Sequence, residues 1–179
     1  AALARIRAAQ AEVSIPPWPL LTVLAILILA STAAALDLGE ASLLGTASIA
    51  AQLVLMVWSG CVNSTPWPQT ALSSTLVIAA IAIAGYAIAA KRRPADTLRF
   101  SQAAIAAIFS GQLVAIIASA FAADHLFAGP LITHALLIVA VMAIASLTSQ
   151  ESITIASTIA AAVAIAAART TTPGREFAF

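Results

Sequence analysis

Residues 71–90 read ALSSTLVIAAIAIAGYAIAA, twenty positions without a formal charge, and residues 91–93 read KRR directly after them. A helix needs about 20 mostly apolar residues to cross the ~30 Å hydrocarbon core of a bilayer. A membrane barrel strand would instead alternate apolar and polar positions over about 10 residues. This stretch therefore predicts a transmembrane helix that ends at the three positive charges.

The same pattern recurs along the chain. Six uncharged stretches come near this length: Trp18–Leu36, Ala41–Val62, Ala71–Ala90, Ser101–Ala123, Leu131–Leu147 and Ile153–Ala168. The 8 basic and 7 acidic residues all lie outside them, as the cost of a charge at the bilayer centre requires. The sequence predicts an all-α polytopic transmembrane helix bundle of six spans, or five if one stretch is re-entrant or interfacial.

Composition excludes the other broad classes of protein. The chain has 179 residues, of which 62% are hydrophobic and 8% are charged, and its net charge is +1. A soluble domain carries about 25% charged residues, and a nucleic-acid-binding surface needs a clear basic excess. We therefore expect an integral multi-pass protein in contact with the lipid bilayer, with no nucleic-acid partner. The alanine-rich composition is typical of a bacterial inner membrane protein.

The chain divides into a single bundle, residues 16–169, an interfacial N-terminal segment, residues 1–15, and a polar tail, residues 170–179. Residues 74–84 and 157–167 have similar sequences, each in the third helix of one half. They are consistent with an inverted repeat of two three-helix units, residues 16–93 and 94–169, as in many transporters. The alternative is that two Ala/Ile-rich helices resemble each other by composition.

Positive charges do not settle the orientation. Four of them lie in one short loop region: Lys91, Arg92, Arg93 and Arg99. With six spans, the remaining four lie on the opposite side, in the two terminal segments. Since cytoplasmic loops are rich in Lys and Arg, we favour a cytoplasmic location for the compact central loop. The same four side chains are candidates for contact with lipid headgroups.

Small residues at four-residue spacing predict close helix packing. One stripe comprises Gly111, Ala115 and Ser119, and a second comprises Ala156, Ala160 and Ala164. Packing is favoured over a pore-lining role, and such faces also suit self-association or contact with other membrane subunits. The first helix is rich in leucine, which predicts that it faces lipid.

Two glutamines, Gln52 and Gln112, lie near the middle of the second and fourth stretches. An amide without a partner is costly in hydrocarbon, so both side chains should face protein or a cavity. They are predicted either to hydrogen-bond each other and hold helices together, or to bind a polar substrate together with Tyr86.

A second group comprises Asp124, His125 and His134, on either side of a short link. It is a candidate proton or ligand site, and the alternative is an interfacial cap with two solvated histidines. Two histidines and one cysteine are too few for a closed metal site, so no metal or other cofactor is expected.

The sequence contains no phosphate-binding glycine loop, CxxC, HExxH or GxSxG motif, so we do not expect an enzyme. The first hypothesis is a transporter, or a component of one, for a small neutral or weakly polar solute. The alternative is a non-catalytic scaffolding or accessory subunit of a larger membrane complex. A third hypothesis is an intramembrane redox or metal protein that uses His125 and His134.

Overall fold

The computed structural model describes residues 17–61, 67–121 and 128–148. These residues form five helices: α1 (Trp18–Leu38), α2 (Ala41–Cys61), α3 (Trp67–Arg92), α4 (Thr97–Phe121) and α5 (Ala128–Thr148). A short 3-10 turn, Pro94–Asp96, connects α3 to α4. The described residues contain no strand, and the predicted all-α fold is confirmed.

Each of the five helices is long and apolar enough to cross a bilayer. They correspond to the first five stretches of the sequence analysis. The sixth stretch, Ile153–Ala168, lies outside the described residues, as do the terminal segments 1–15 and 170–179. The second copy of the predicted repeat ends in the same part of the chain, so the repeat stays a prediction. The protein is an integral multi-pass membrane protein with at least five candidate spans.

Helix α4 lies at the centre of the bundle. It packs most extensively against α2 and α3 and also contacts α5, whereas α1 contacts α2 and α3 from outside. In the most apolar part of α4, 56% of the residues are buried, against 22% in α1. The expectation that the leucine-rich first helix faces outward is confirmed. The bulky exposed side chains on all five helices form the surface that contacts lipid.

Glycines let the central helix approach its neighbours. A Cβ atom at Gly111 of α4 would lie 2.9 Å from Thr75 Cγ2 on α3, 3.2 Å from Gln52 Nε2 on α2 and 3.5 Å from Leu137 Cδ1 on α5. At Gly45 of α2, a Cβ would lie 3.4 Å from the Cβ of Ala103 on α4. Small residues thus permit the short interhelical distances on which association in lipid depends.

All charged side chains of the described residues lie at one end of the bundle, in or beside the α1–α2 and α3–α4 links. We call this the charged end. Arg93 connects the two links, because its Nη2 donates a hydrogen bond of 2.6 Å to the carbonyl oxygen of Asp37 in the last turn of α1. A cation at this position also interacts favourably with the negative end of the helix dipole.

Gly39 ends α1 in the left-handed conformation, with φ 76°. Its N–H and that of Glu40 both donate to the carbonyl oxygen of Ala35, at 2.9 and 3.1 Å. A Cβ at Gly39 would lie 2.6 Å from Arg93 Nη1. Glycine is therefore favoured here twice, by its backbone conformation and by the guanidinium packed over it.

We expect Gly111→Ala to destabilise the bundle by about 1–3 kcal/mol, the usual range for overpacking a tight core. The added methyl group would meet Thr75 Cγ2 at 2.9 Å and the Gln52 amide at 3.2 Å. Unfolding in detergent, followed by circular dichroism, measures this change. Gly45→Ala is the matched control, because its methyl group would make an ordinary contact at 3.4 Å. Equal stability of the two variants would contradict the role given to Gly111.

Candidate functional site: buried polar side chains between the helices

Nine polar side chains are buried among the described residues: Thr32, Ser48, Gln52, Ser59, Thr75, Ser101, Gln112, Thr133 and His134. Several hydroxyls bond to carbonyl groups three or four residues earlier in their own helix. Examples are Thr32 Oγ1 to Ile28 O at 2.7 Å and Ser101 Oγ to Leu98 O at 2.8 Å. Such hydroxyls are satisfied locally, which is common for Ser and Thr in helices.

Gln52 of α2 is held by Thr75 of α3 through two hydrogen bonds. The Gln52 Nε2 donates to the Thr75 backbone carbonyl at 3.3 Å, and Thr75 Oγ1 donates to Gln52 Oε1 at 3.1 Å. Gln52 is 1% exposed and Thr75 is completely buried. Both atoms of the Gln52 amide are thus engaged between two helices. The arrangement is that of interhelical adhesion.

Gln112 of α4 has a different environment. It is 2% exposed, and within residues 17–61, 67–121 and 128–148 neither its Nε2 nor its Oε1 has a hydrogen-bond partner. The predicted bond between Gln52 and Gln112 is therefore not formed, and the Gln52 amide bonds to Thr75 instead. Successive residues of a helix point about 100° apart, so Gln112 is directed away from the contact that Gly111 makes with Gln52 and Thr75.

Nδ1 of His134 on α5 is a second kind of buried polar atom that has no hydrogen-bond partner within the described part of the chain. Leu137 of α5 lies beside Gly111, 3.5 Å from the position of a Cβ there. Gln112 directly follows Gly111, and His134 lies three residues before Leu137. The two polar residues are therefore within about one helical turn of each other along the bundle. Buried polar groups without a partner in the protein are expected to be satisfied by water or a ligand.

Tyr86 does not join this group. It lies 11 residues beyond Thr75 on the same helix, which is about 16 Å nearer the charged end. There it is buried in an apolar cluster with Leu44 and Phe100. Helix α3 thus carries Tyr86 to a different level of the bundle from the Gln52–Thr75 pair, and a substrate site shared with the two glutamines stays a prediction.

Sequence reasoning missed Ser48 of α2, which is fully buried with no partner for its Oγ. It lies one turn before Gln52, on the face that carries Gly45. The spacing of Gly45, Ser48 and Gln52 was the available signal. As one serine among many, Ser48 by itself gave no reason to single it out.

The other predicted residues are distributed as follows. Gly111 and Ala115 are buried, and Ala115 packs with Leu72. Lys91, Arg92 and Arg99 are exposed at the charged end. Asp124, His125, Ala156, Ala160, Ala164 and the side chain of Ser119 lie outside the described part of the structure. Among described residues, no group of three or more His, Cys, Asp or Glu is placed to hold a metal ion.

Comparisons with protein-family models, with curated proteins and with solved structures find no match to this chain.

We expect Gln52→Leu and Gln112→Leu to have opposite effects on the free energy of unfolding in detergent. Gln52→Leu removes an interhelical pair and should cost about 1 kcal/mol, typical of such bonds in membrane proteins. Gln112→Leu removes a buried amide that has no partner, so stability should be unchanged or higher. Adding Thr75→Val to Gln52→Leu should cost little more than Gln52→Leu alone. A loss for Gln112→Leu as large as that for Gln52→Leu would show that its amide is bonded within the protein.

Proposed function

We propose that the protein is a transporter, or the membrane-embedded component of one, for a small neutral or weakly polar solute. The observation that carries this proposal is the Gln112 amide, which is 2% exposed at mid-bundle and has no partner for either atom among the residues that the structure describes. An amide supplies both a donor and an acceptor. It therefore suits a solute that carries hydroxyl, amide or similar groups.

The chemistry around Gln112 favours a neutral solute over an ion. The charged side chains of the described residues lie at the charged end, away from the level of Gln112. The buried polar side chains of the described residues are amides, hydroxyls and the His134 imidazole. A fully charged solute at this depth would lack a counter-ion and would meet a high desolvation cost. Because an amide neither gives nor takes a proton at neutral pH, the proposed role is binding and not catalysis.

The α4–α5 interface is the proposed path. The Gln52–Thr75 pair links α2 to α3, and Gly111 lets α4 pack closely against both of them. In the most apolar part of α5, 33% of the residues are buried, against 44% in α2 and in α3, the other two helices that pack extensively against α4. Fewer buried contacts mean a lower cost of local opening, so α5 is the helix that can separate from α4 to admit a solute.

We expect liposomes that contain the protein to take up glycerol or urea several-fold faster than protein-free liposomes. Gln112→Leu should return the rate towards that of the protein-free liposomes, because the amide that replaces the solute's water is lost. Osmotic swelling, followed by stopped-flow light scattering, measures both rates.

Gln69→Leu is the matched control for the swelling experiment. It makes the same change at an exposed glutamine of α3, and its rate should equal that of the wild type. Protein that does not accelerate entry of either solute would contradict the proposal, as would a Gln112→Leu rate equal to that of the wild type.

We further propose a bacterial plasma membrane location, with the charged end in the cytoplasm. Four of the seven charged side chains of the described residues are basic, namely Lys91, Arg92, Arg93 and Arg99. Positive residues in short loops favour the cytoplasmic side, whereas acidic residues contribute little to orientation.

Cysteine labelling tests this orientation. In a Cys61→Ser background, we expect Ala95→Cys, exposed in the turn between α3 and α4, to react with a membrane-impermeant maleimide only after cells are permeabilised. Gln69→Cys, near the opposite end of α3, should react in intact cells. The reverse pattern would place the charged end outside.

An accessory subunit of a membrane complex is the second candidate function. It is favoured by a groove of about 220 Å³ on the outer side of the bundle, between α1 and α3. Leu21, Leu24 and Ile81 line this groove, together with Ser73 and Ser74. A mostly apolar groove with small polar residues suits another transmembrane helix, from a partner subunit or a second copy. For this function, the swelling experiment would give no protein-dependent flux.

A further inference from the structure

A second groove lies at the charged end, between the first turns of α2 and α4. Its volume is about 440 Å³, within the ~300–1,000 Å³ usual for small-molecule sites. Glu40 and Arg99 line the end nearest the interhelical links, which we call its mouth, and Gln102, Thr46 and Ile49 line the part that lies farther along α2 and α4. We call it the α2–α4 groove. Beneath it the two helices touch, because the Cβ position of Gly45 is 3.4 Å from that of Ala103.

The mouth of the α2–α4 groove carries one carboxylate and one guanidinium. Both side chains are exposed, and within the described residues neither makes a hydrogen bond or an ion pair through its charged group. The other cation that reaches across the links, Arg93, is bonded to the Asp37 carbonyl instead. The groove therefore offers one negative and one positive charge, which suits a ligand that carries both a cationic and an anionic group.

Polarity decreases along the groove with distance from the charged end. Gln102 lies three residues after Arg99 on α4, and Ile49 lies nine residues after Glu40. These separations are about 4.5 Å and about 13 Å along the helices. Charged groups at the membrane boundary are thus followed by an amide and then by an aliphatic side chain. A phospholipid has the same order: charged headgroup, polar ester region and acyl chain.

We infer that the α2–α4 groove binds a zwitterionic phospholipid with a primary ammonium, of the phosphatidylethanolamine type. The Arg99 guanidinium contacts the phosphate, for which its planar fork of N–H donors is well suited. The Glu40 carboxylate accepts hydrogen bonds from the ammonium, the Gln102 amide donates to an ester oxygen, and an acyl chain lies along Ile49. This inference is independent of the proposed transport function.

Glu40 determines which headgroup fits. The headgroup of phosphatidylglycerol has no cation to pair with this carboxylate, so that lipid would be held by the contact of its phosphate with Arg99 alone. A choline headgroup has no N–H, so it cannot donate a hydrogen bond to the carboxylate. The groove should therefore prefer phosphatidylethanolamine to both phosphatidylcholine and phosphatidylglycerol.

Native mass spectrometry of the full chain, titrated with each of the three lipids, tests this order. We expect one phosphatidylethanolamine molecule to bind several-fold more tightly than phosphatidylcholine or phosphatidylglycerol. Glu40→Gln should abolish the preference over phosphatidylcholine, and Arg99→Gln should weaken the binding of all three lipids. Asp37→Asn and Arg92→Gln remove matched charges at the same end, outside the groove, and should retain the preference.

Equal affinity of the wild type for phosphatidylethanolamine and phosphatidylcholine would overturn the inference, as would a preference for phosphatidylglycerol. Retention of the wild-type order by both Glu40→Gln and Arg99→Gln would overturn it as well. Circular dichroism of each variant checks that the helices are intact.

Discussion

The absence of a side chain at Gly111 is the constraint on which the described bundle depends. At this position α4 meets α2, α3 and α5 at once, and a Cβ would lie within 3.5 Å of side chains on all three. In lipid there is little hydrophobic drive between helices, so close approach and interhelical hydrogen bonds must hold them together. Gly111 provides the first of these directly. It also makes the second possible, since it lets Thr75 and Gln52 occupy the space beside α4.

The contrast between Gln52 and Gln112 follows from this geometry. One glutamine lies on the tightly packed side of α4, where Thr75 satisfies both of its amide atoms. The other lies one residue after the glycine and is directed about 100° away, towards a region where its amide has no partner. Identical side chains at similar depths thus differ in role: Gln52 holds helices together, and Gln112 is a candidate for binding. The proposed function depends on that difference.

Charge is organised separately from the buried polar groups. Within the described residues, every charged side chain lies at one end. At that end Arg93 donates a hydrogen bond to the Asp37 carbonyl oxygen in the last turn of α1, while Glu40 and Arg99 line an open groove. Gly39 allows the first arrangement, because its left-handed backbone turns the chain and its missing Cβ leaves space for the guanidinium. Composition alone marks the region from Lys91 to Arg99 only as basic. In the structure Arg93 makes a structural contact, whereas Arg99 lines a groove suited to lipid.

The sequence by itself determined the solvent of this protein, its helical class and the positions of five helices. Uncharged stretches near 20 residues long can cross a bilayer only as helices or closed barrels, and their continuous apolarity excludes the barrel. It also identified Gln52 and Gln112 as residues whose amides should face protein or a cavity, because an amide without a hydrogen-bond partner is costly in hydrocarbon. Only the tertiary structure decided that Gln52 bonds to Thr75 and that Ser48 is buried. It also decided that Tyr86, about 16 Å from Thr75 along α3, lies at a different level of the bundle from that pair. The reason is that these alanine-rich helices do not separate polar from apolar residues onto opposite faces. The sequence therefore does not indicate which face of each helix is turned towards its neighbours. Which residues meet is decided instead by short contacts at positions such as Gly111, between segments far apart in the chain.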